Sequence, residues 1–330
     1  MDGFSVALSE ITLVLFTTLA PSVAVAYLLM SLPVLSGRAA GDTARRLNQL
    51  TCLPLLVAMV GLVASATHLG NPANALYVFT GVGRSPLSTE VFAAVIFLAL
   101  AGVYWLYSSA EHPRAGLQRG LLAAIDVAIV AFVSSVAFAY NVDTIVTWSV
   151  PLVPASLILN ALFGGPLLAL AGFALASRGL GAASTAELPI AYAAPEGASK
   201  AHVEPRKASK AQPTAARVFP SRRGARILLT LATAACAANV AVYAVLGFQL
   251  QGIENELVSA ADLVAGYPVY LAAFAVLAAS ALAFAWCAAI KRELRQSPAP
   301  LVVASVLAFV AIFLMRFTFY MSHLTVGLGV

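Results

Sequence analysis

Residues 11–35 read ITLVLFTTLAPSVAVAYLLMSLPVL, twenty-five positions without one charged side chain. About 20 helical residues at 1.5 Å each cross a hydrocarbon core of about 30 Å. This run therefore spans a membrane. Seven runs of the same kind follow, at approximately 50–67, 91–107, 121–140, 150–177, 227–250, 269–290 and 301–321. Only Asp126 and Arg316 put a formal charge inside them. No run alternates strictly between polar and apolar residues, which excludes a β-barrel. Composition agrees: hydrophobic residues make up 61% of the chain, charged residues 10%, and mean hydropathy is +0.91. A soluble domain is about 45–50% apolar. The expected fold is an all-α integral membrane protein of eight transmembrane helices in two four-helix groups, a multi-pass protein of the cell (cytoplasmic) membrane.

The basic residues give an orientation. Arg38, Arg45 and Arg46 follow the first run, Arg114 and Arg119 the third, nine from Arg178 to Arg226 the fifth, and Lys291, Arg292 and Arg295 the seventh. Only Arg84 and Arg316 of the 19 lie elsewhere. By the positive-inside rule those four loops are cytoplasmic and both termini face out. No basic segment precedes the first run, so it reads as a retained helix and not a cleaved signal peptide. The net charge of +5 is then a consequence of topology, and nucleic acid is not an expected partner.

Three parts follow from this. Residues 1–177 hold helices one to four plus helix five, with an outer loop at 68–90. Residues 178–226, rich in Ala, Pro, Ser and Lys and without a spaced apolar face, read as a disordered cytoplasmic linker. Residues 227–330 hold helices six to eight. The fifth run contains Gly164-Gly165-Pro166, where a tilt or kink is the natural expectation.

Cofactor ligands are sparse. Cys52, Cys236 and Cys287 are isolated in or beside apolar runs, so no cysteine cluster suits zinc or an iron–sulfur centre, and no Walker or dinucleotide loop is present. No metal ligand set is assigned. Redox chemistry by such a chain requires a partner.

The outer loop reads HLGNPANALYVFTGVGRSPLSTE, from His68 to Glu90. Ser85 and Pro86 suit an N-cap and first helical residue, which puts Glu90 about 6 Å along the third transmembrane helix. Two readings of each titratable residue are open. Glu90 is a carboxylate complementing a helix dipole at the interface, or a proton acceptor; His68 is an interfacial helix terminator, or its partner in proton-coupled chemistry. Arg316, about 7 to 8 Å below the outer end of the eighth span, either snorkels to water or faces Glu90 across the bundle. Asp126 either pairs with a neighbouring polar group or belongs to a proton path, and Asn160 and Asn239 are expected to join helices by hydrogen bonds.

The string resembles the DmsC family, the membrane-anchor subunits of anaerobic dimethyl sulfoxide reductase. His68-Leu69-Gly70-Asn71-Pro72 is similar to its HLG-x-P signature, and Ser85-Pro86-Leu87-Ser88-Thr89-Glu90 to its S-x-L-S-x-E signature. The resemblance implies a menaquinol-oxidising anchor without a haem, iron–sulfur cluster or molybdenum of its own. It also implies two partners, a four-cluster ferredoxin-like iron–sulfur subunit and a molybdopterin catalytic subunit, with protons released outside. The terminal substrate would be reduced by the partners and not by this chain. His68 and Glu90 match the family's quinol-site residues. Arg316, Arg84, Tyr320 and His323 are further candidates to line that site. A di-haem anchor and a secondary transporter are the rival classes, the first needing axial His pairs and the second polar groups at mid-membrane.

Overall fold

The computed structural model describes residues 2–67, 72–111, 113–186, 220–255, 258–290 and 297–325. His68 and most of the 178–226 linker lie outside them. The described residues form α1 (Gly3–Ser9), α2 (Ile11–Leu35), α3 (Gly41–Leu50), α4 (Cys52–Thr67), α5 (Pro86–Ser108), α6 (Ala115–Ala139), α7 (Leu152–Ala186), α8 (Arg222–Leu250), α9 (Ala260–Leu263), α10 (Tyr267–Ile290) and α11 (Ala299–Met321), with a 3-10 helix at Pro72–Gly81. Eight segments are long and apolar enough to cross a membrane, α3 and α4 counting as one. In lipid every backbone amide must find its partner within the protein, and apolar helices meet that demand segment by segment. The eight spans match the sequence reading. Helix extends into the 178–226 segment at both ends, because α7 continues to Ala186 and α8 begins at Arg222.

Two helices make the centre. The most apolar 18-residue windows of α2 and α7 are 72% and 78% buried, against 22% for α5. Lipid is as apolar as leucine, so helices gain by letting backbones approach closely and by sharing hydrogen bonds. Small residues on α7 allow this: a Cβ added to Gly165 would lie 2.6 Å from Val25 Cγ1, and one on Gly172 would lie 2.7 Å from Met30 Sδ. The Gly164-Gly165-Pro166 sequence thus lies in unbroken helix and serves close contact with α2. Gly165→Val is expected to destabilise the bundle by about 1–3 kcal/mol through overpacking, seen as a lower denaturation midpoint in detergent. Gly102→Ala, with nothing within 4 Å of the new Cβ, should leave the midpoint in place.

One apolar core joins α2 and α4–α6 to one side of α7, and a second joins the other side of α7 to α8, α10 and α11. Hydrogen bonds between polar side chains tie helices together inside this interior. Asn239 Nδ2 donates to Asn160 Oδ1 at 2.7 Å and Asn160 Nδ2 donates to the Tyr243 hydroxyl at 2.8 Å, tying α7 to α8 as expected of these asparagines. Ser31 donates to Asp126 Oδ1 at 2.7 Å, the neighbouring polar group anticipated for that carboxylate.

The chain ends of the bundle meet. A Cβ on Gly3 of α1 would collide with the carbonyl oxygens of Leu263 and Met321, so α1, α9 and the end of α11 are packed together. Among the described residues, the Arg-bearing segments after α2, before α6 and at the start of α8 lie at the other end of the helices. Glu90 and Arg316 belong to the end where α1 sits.

Candidate functional site

Glu90 is placed by the start of α5. The Ser85 hydroxyl accepts from Ser88 N at 3.4 Å and Pro86 occupies the first turn, the capping arrangement read from the sequence. One helical turn further, Glu90 turns inward and is only 1% exposed. A carboxylate serving a helix dipole at an interface would remain in water. The interfacial reading of Glu90 is therefore replaced by a buried one.

Arg316 enters the same interior from α11. It is also 1% exposed, which rules out the snorkelling reading. Its Nε donates to Thr17 Oγ1 of α2 at 3.1 Å, while the Thr17 hydroxyl donates to Leu13 O at 2.9 Å. The guanidinium carbon stands 4.0 Å from the Phe319 ring centroid and 5.5 Å from those of Tyr140 and Tyr320. Aromatic faces carry negative π density, so they offset part of the cost of taking the cation out of water.

The end of α11 is held by the loop between α6 and α7. A helix leaves its last carbonyls without helical partners. Here Trp148 Nε1 donates to Phe319 O at 3.3 Å, Thr147 Oγ1 donates to Ser322 O at 2.6 Å, and Val146 N donates to Leu324 O at 2.9 Å. Trp148 also stacks on Phe319 at 4.6 Å. This clamp fixes the ring beneath Arg316.

Glu90, Arg316, Tyr140 and Tyr320 act on one another electrostatically within this buried cluster. The Tyr140 and Tyr320 hydroxyls lie within reach of each other, and that of Tyr320 also within reach of Thr17, whereas Glu90 Oε2 and Arg316 Nη2 are buried without a hydrogen-bond partner. Buried polar atoms are almost always satisfied, so these two open valences in one place suit a ligand or water. A cavity of about 30 Å³ adjoins Arg316, between Tyr243, Ser156 and Thr318. It is large enough for a water molecule.

The other candidates fall outside the cluster's centre. Arg84 is exposed, its guanidinium directed to the Thr80 carbonyl at 3.5 Å. His323 is half-buried just beyond α11, with its ring edge to face with Trp148 at 5.2 Å. Burial lowers its pKa below the usual 6.5, and Glu10 opposes the shift. A histidine whose folded pKa is lowered binds a proton more readily when unfolded, so its stabilising contribution is full above about pH 6.5 and falls away on acidification. His323→Gln should therefore flatten the thermal midpoint between pH 7 and pH 5, checked by denaturation across that range.

Of the residues that the sequence singles out, the fold brings Glu90, Arg316 and Tyr320 together. Thr17, Tyr140 and Trp148 join them without having been predicted. Two hydroxyl residues in tandem, Thr17-Thr18, inside an apolar span are the one signal that points toward Thr17.

The family model described as DMSO reductase anchor subunit (DmsC) matches residues 4–321. The chain is 27% identical over 322 residues to YnfH, an anaerobic dimethyl sulfoxide reductase subunit of Escherichia coli, covering 97% of each. It is 33% identical over 162 residues to the C subunit of E. coli anaerobic dimethyl sulfoxide reductase, covering 48% of this chain and 56% of that subunit. The corresponding C subunit of Haemophilus influenzae is 31% identical over 163 residues, with the same coverage.

Proposed function

The chain belongs to the DMSO reductase anchor subunit (DmsC) family, and from that premise we propose that it anchors a molybdoenzyme complex in the cytoplasmic membrane and oxidises menaquinol at the Glu90–Arg316 end of the bundle. The observation that carries the reading is the pair of 1%-exposed charged residues with open valences in one aromatic-lined cluster. By the distribution of Lys and Arg this end faces outward, and the Arg-rich end is cytoplasmic.

Oxidising menaquinol to menaquinone releases two electrons and two protons. A carboxylate near the outer end can accept a hydroxyl proton and pass it to water. Glu90 has that role here, and His68, 22 residues before it, takes the second proton as a neutral imidazole. Arg316 donates from its open Nη2 to a quinol oxygen, with Tyr320 and Tyr140 as the adjoining wall. The electrons leave to an iron–sulfur subunit docked on the outer face, which serves a molybdopterin subunit. Dimethyl sulfoxide is the terminal acceptor suggested by the relatives' names.

A reduced menaquinol analogue added to the assembled complex tests the role of this subunit. Rapid reduction of the partner's iron–sulfur clusters is expected only when this chain is present. Equal rates with and without it would overturn the proposal.

A further inference from the structure

At the Arg-rich end, α2, α7 and α8 enclose a groove of about 1080 Å³, far from Glu90 and unused by quinol chemistry. Its walls are of two kinds. Leu29 and Leu32 of α2 and Ile227 and Leu228 of α8 supply an apolar side, while Arg38 and Arg223 are its charged lining residues. Among the described residues neither arginine forms an ion pair. A third cation, outside the groove's lining, stands next to the turn before Arg38, because Arg119 Nη2 lies 3.1 Å from where a Cβ of Gly37 would be. Gly37, at φ +68°, makes the turn that carries Arg38 off the end of α2. The N-terminus of the 29-residue α8 adds its partial positive charge on the same side.

A cluster of cations above apolar walls fits an amphiphile with an anionic head. We propose that this groove is a binding site for an anionic phospholipid, its phosphate held between Arg38 and Arg223 and its acyl chains laid along Leu29, Leu32, Ile227 and Leu228. Basic pockets between transmembrane helices on the cytoplasmic side favour such headgroups, and each cation near the surface strengthens the attraction. The 187–219 segment of the chain is the rival occupant. It carries five basic and three acidic residues and so has the wrong net sign for a groove of arginines.

Thermal denaturation of the purified full-length chain, titrated with phosphatidylglycerol, phosphatidylcholine or inorganic phosphate, tests the proposal. Phosphatidylglycerol is expected to raise the midpoint, and the other two are not. In the Arg38→Gln/Arg223→Gln variant its apparent affinity should fall by about tenfold or more. Leu32→Trp, which keeps both cations and fills the apolar wall, should also weaken it, while menaquinol oxidation stays at the wild-type rate in both. Equal responses to both lipids, a matching response to phosphate alone, or an undiminished response in both variants would overturn the site. A lipid response that emerges only after deletion of 187–219 would overturn it in favour of that segment.

Discussion

Complexes carrying Glu90→Gln are expected to oxidise menaquinol about 100-fold more slowly or worse, the usual scale for losing a positioned proton acceptor. Gln has the shape of Glu but cannot hold a transferred proton. It also places no charge in a site where Glu90 is 1% exposed, so the fold and the assembled complex should persist. Quinol affinity is expected to change much less than the turnover rate, because the amide keeps one hydrogen-bonding oxygen. The measurement is steady-state menaquinol oxidation by the assembled complex, with partner copurification as the check on assembly. Near-normal turnover would remove Glu90 from the proton path.

Arg316→Met is expected to act on stability as well as on turnover. It removes the cation that acts electrostatically on Glu90, together with the hydrogen bond to Thr17. Losing the guanidinium's bond to Thr17 and its contact with the Phe319 ring costs about 1–3 kcal/mol, and it leaves Glu90 without a nearby cation. The denaturation midpoint should drop and complex yield should fall. Adding Glu90→Gln to Arg316→Met should restore part of the loss, because no anion then remains without a counterpart. A double-mutant cycle isolates this coupling. Arg316→Lys keeps the charge but has no planar group to lie against Phe319, 4.0 Å away, and no Nε to reach Thr17. It should recover more stability than turnover. Strictly additive effects at Glu90 and Arg316 would show that the two residues do not share a site.

The transmembrane frame is legible in the sequence because eight long uncharged runs separated by basic loops have few other readings. The capped start of α5 is equally plain from Ser85-Pro86. The rotation of each helix is not legible. A span apolar on every face carries no phase, so Thr17 facing Arg316, or Tyr140 closing over it, leaves no trace in periodicity. The snorkelling reading of Arg316 fails for a related reason. Its distance from the helix end is correct, but the 141–151 loop folds over that end and stacks Trp148 on the Phe319 ring that lies against Arg316. The glycines of α7 suggest a break because Gly-Gly-Pro weakens an isolated helix, whereas against α2 their missing side chains are the contact. Arg84 and Arg316 share a charge type and an end of the molecule, yet only the second is inside.

A photoreactive menaquinol analogue, crosslinked to the assembled complex and mapped by mass spectrometry, addresses the central claim without any substitution. The account predicts labels on peptides containing Glu90 and residues 316–323, reduced by excess menaquinol. Labels confined to the Arg-rich end of the bundle, or unaffected by competing menaquinol, would contradict it.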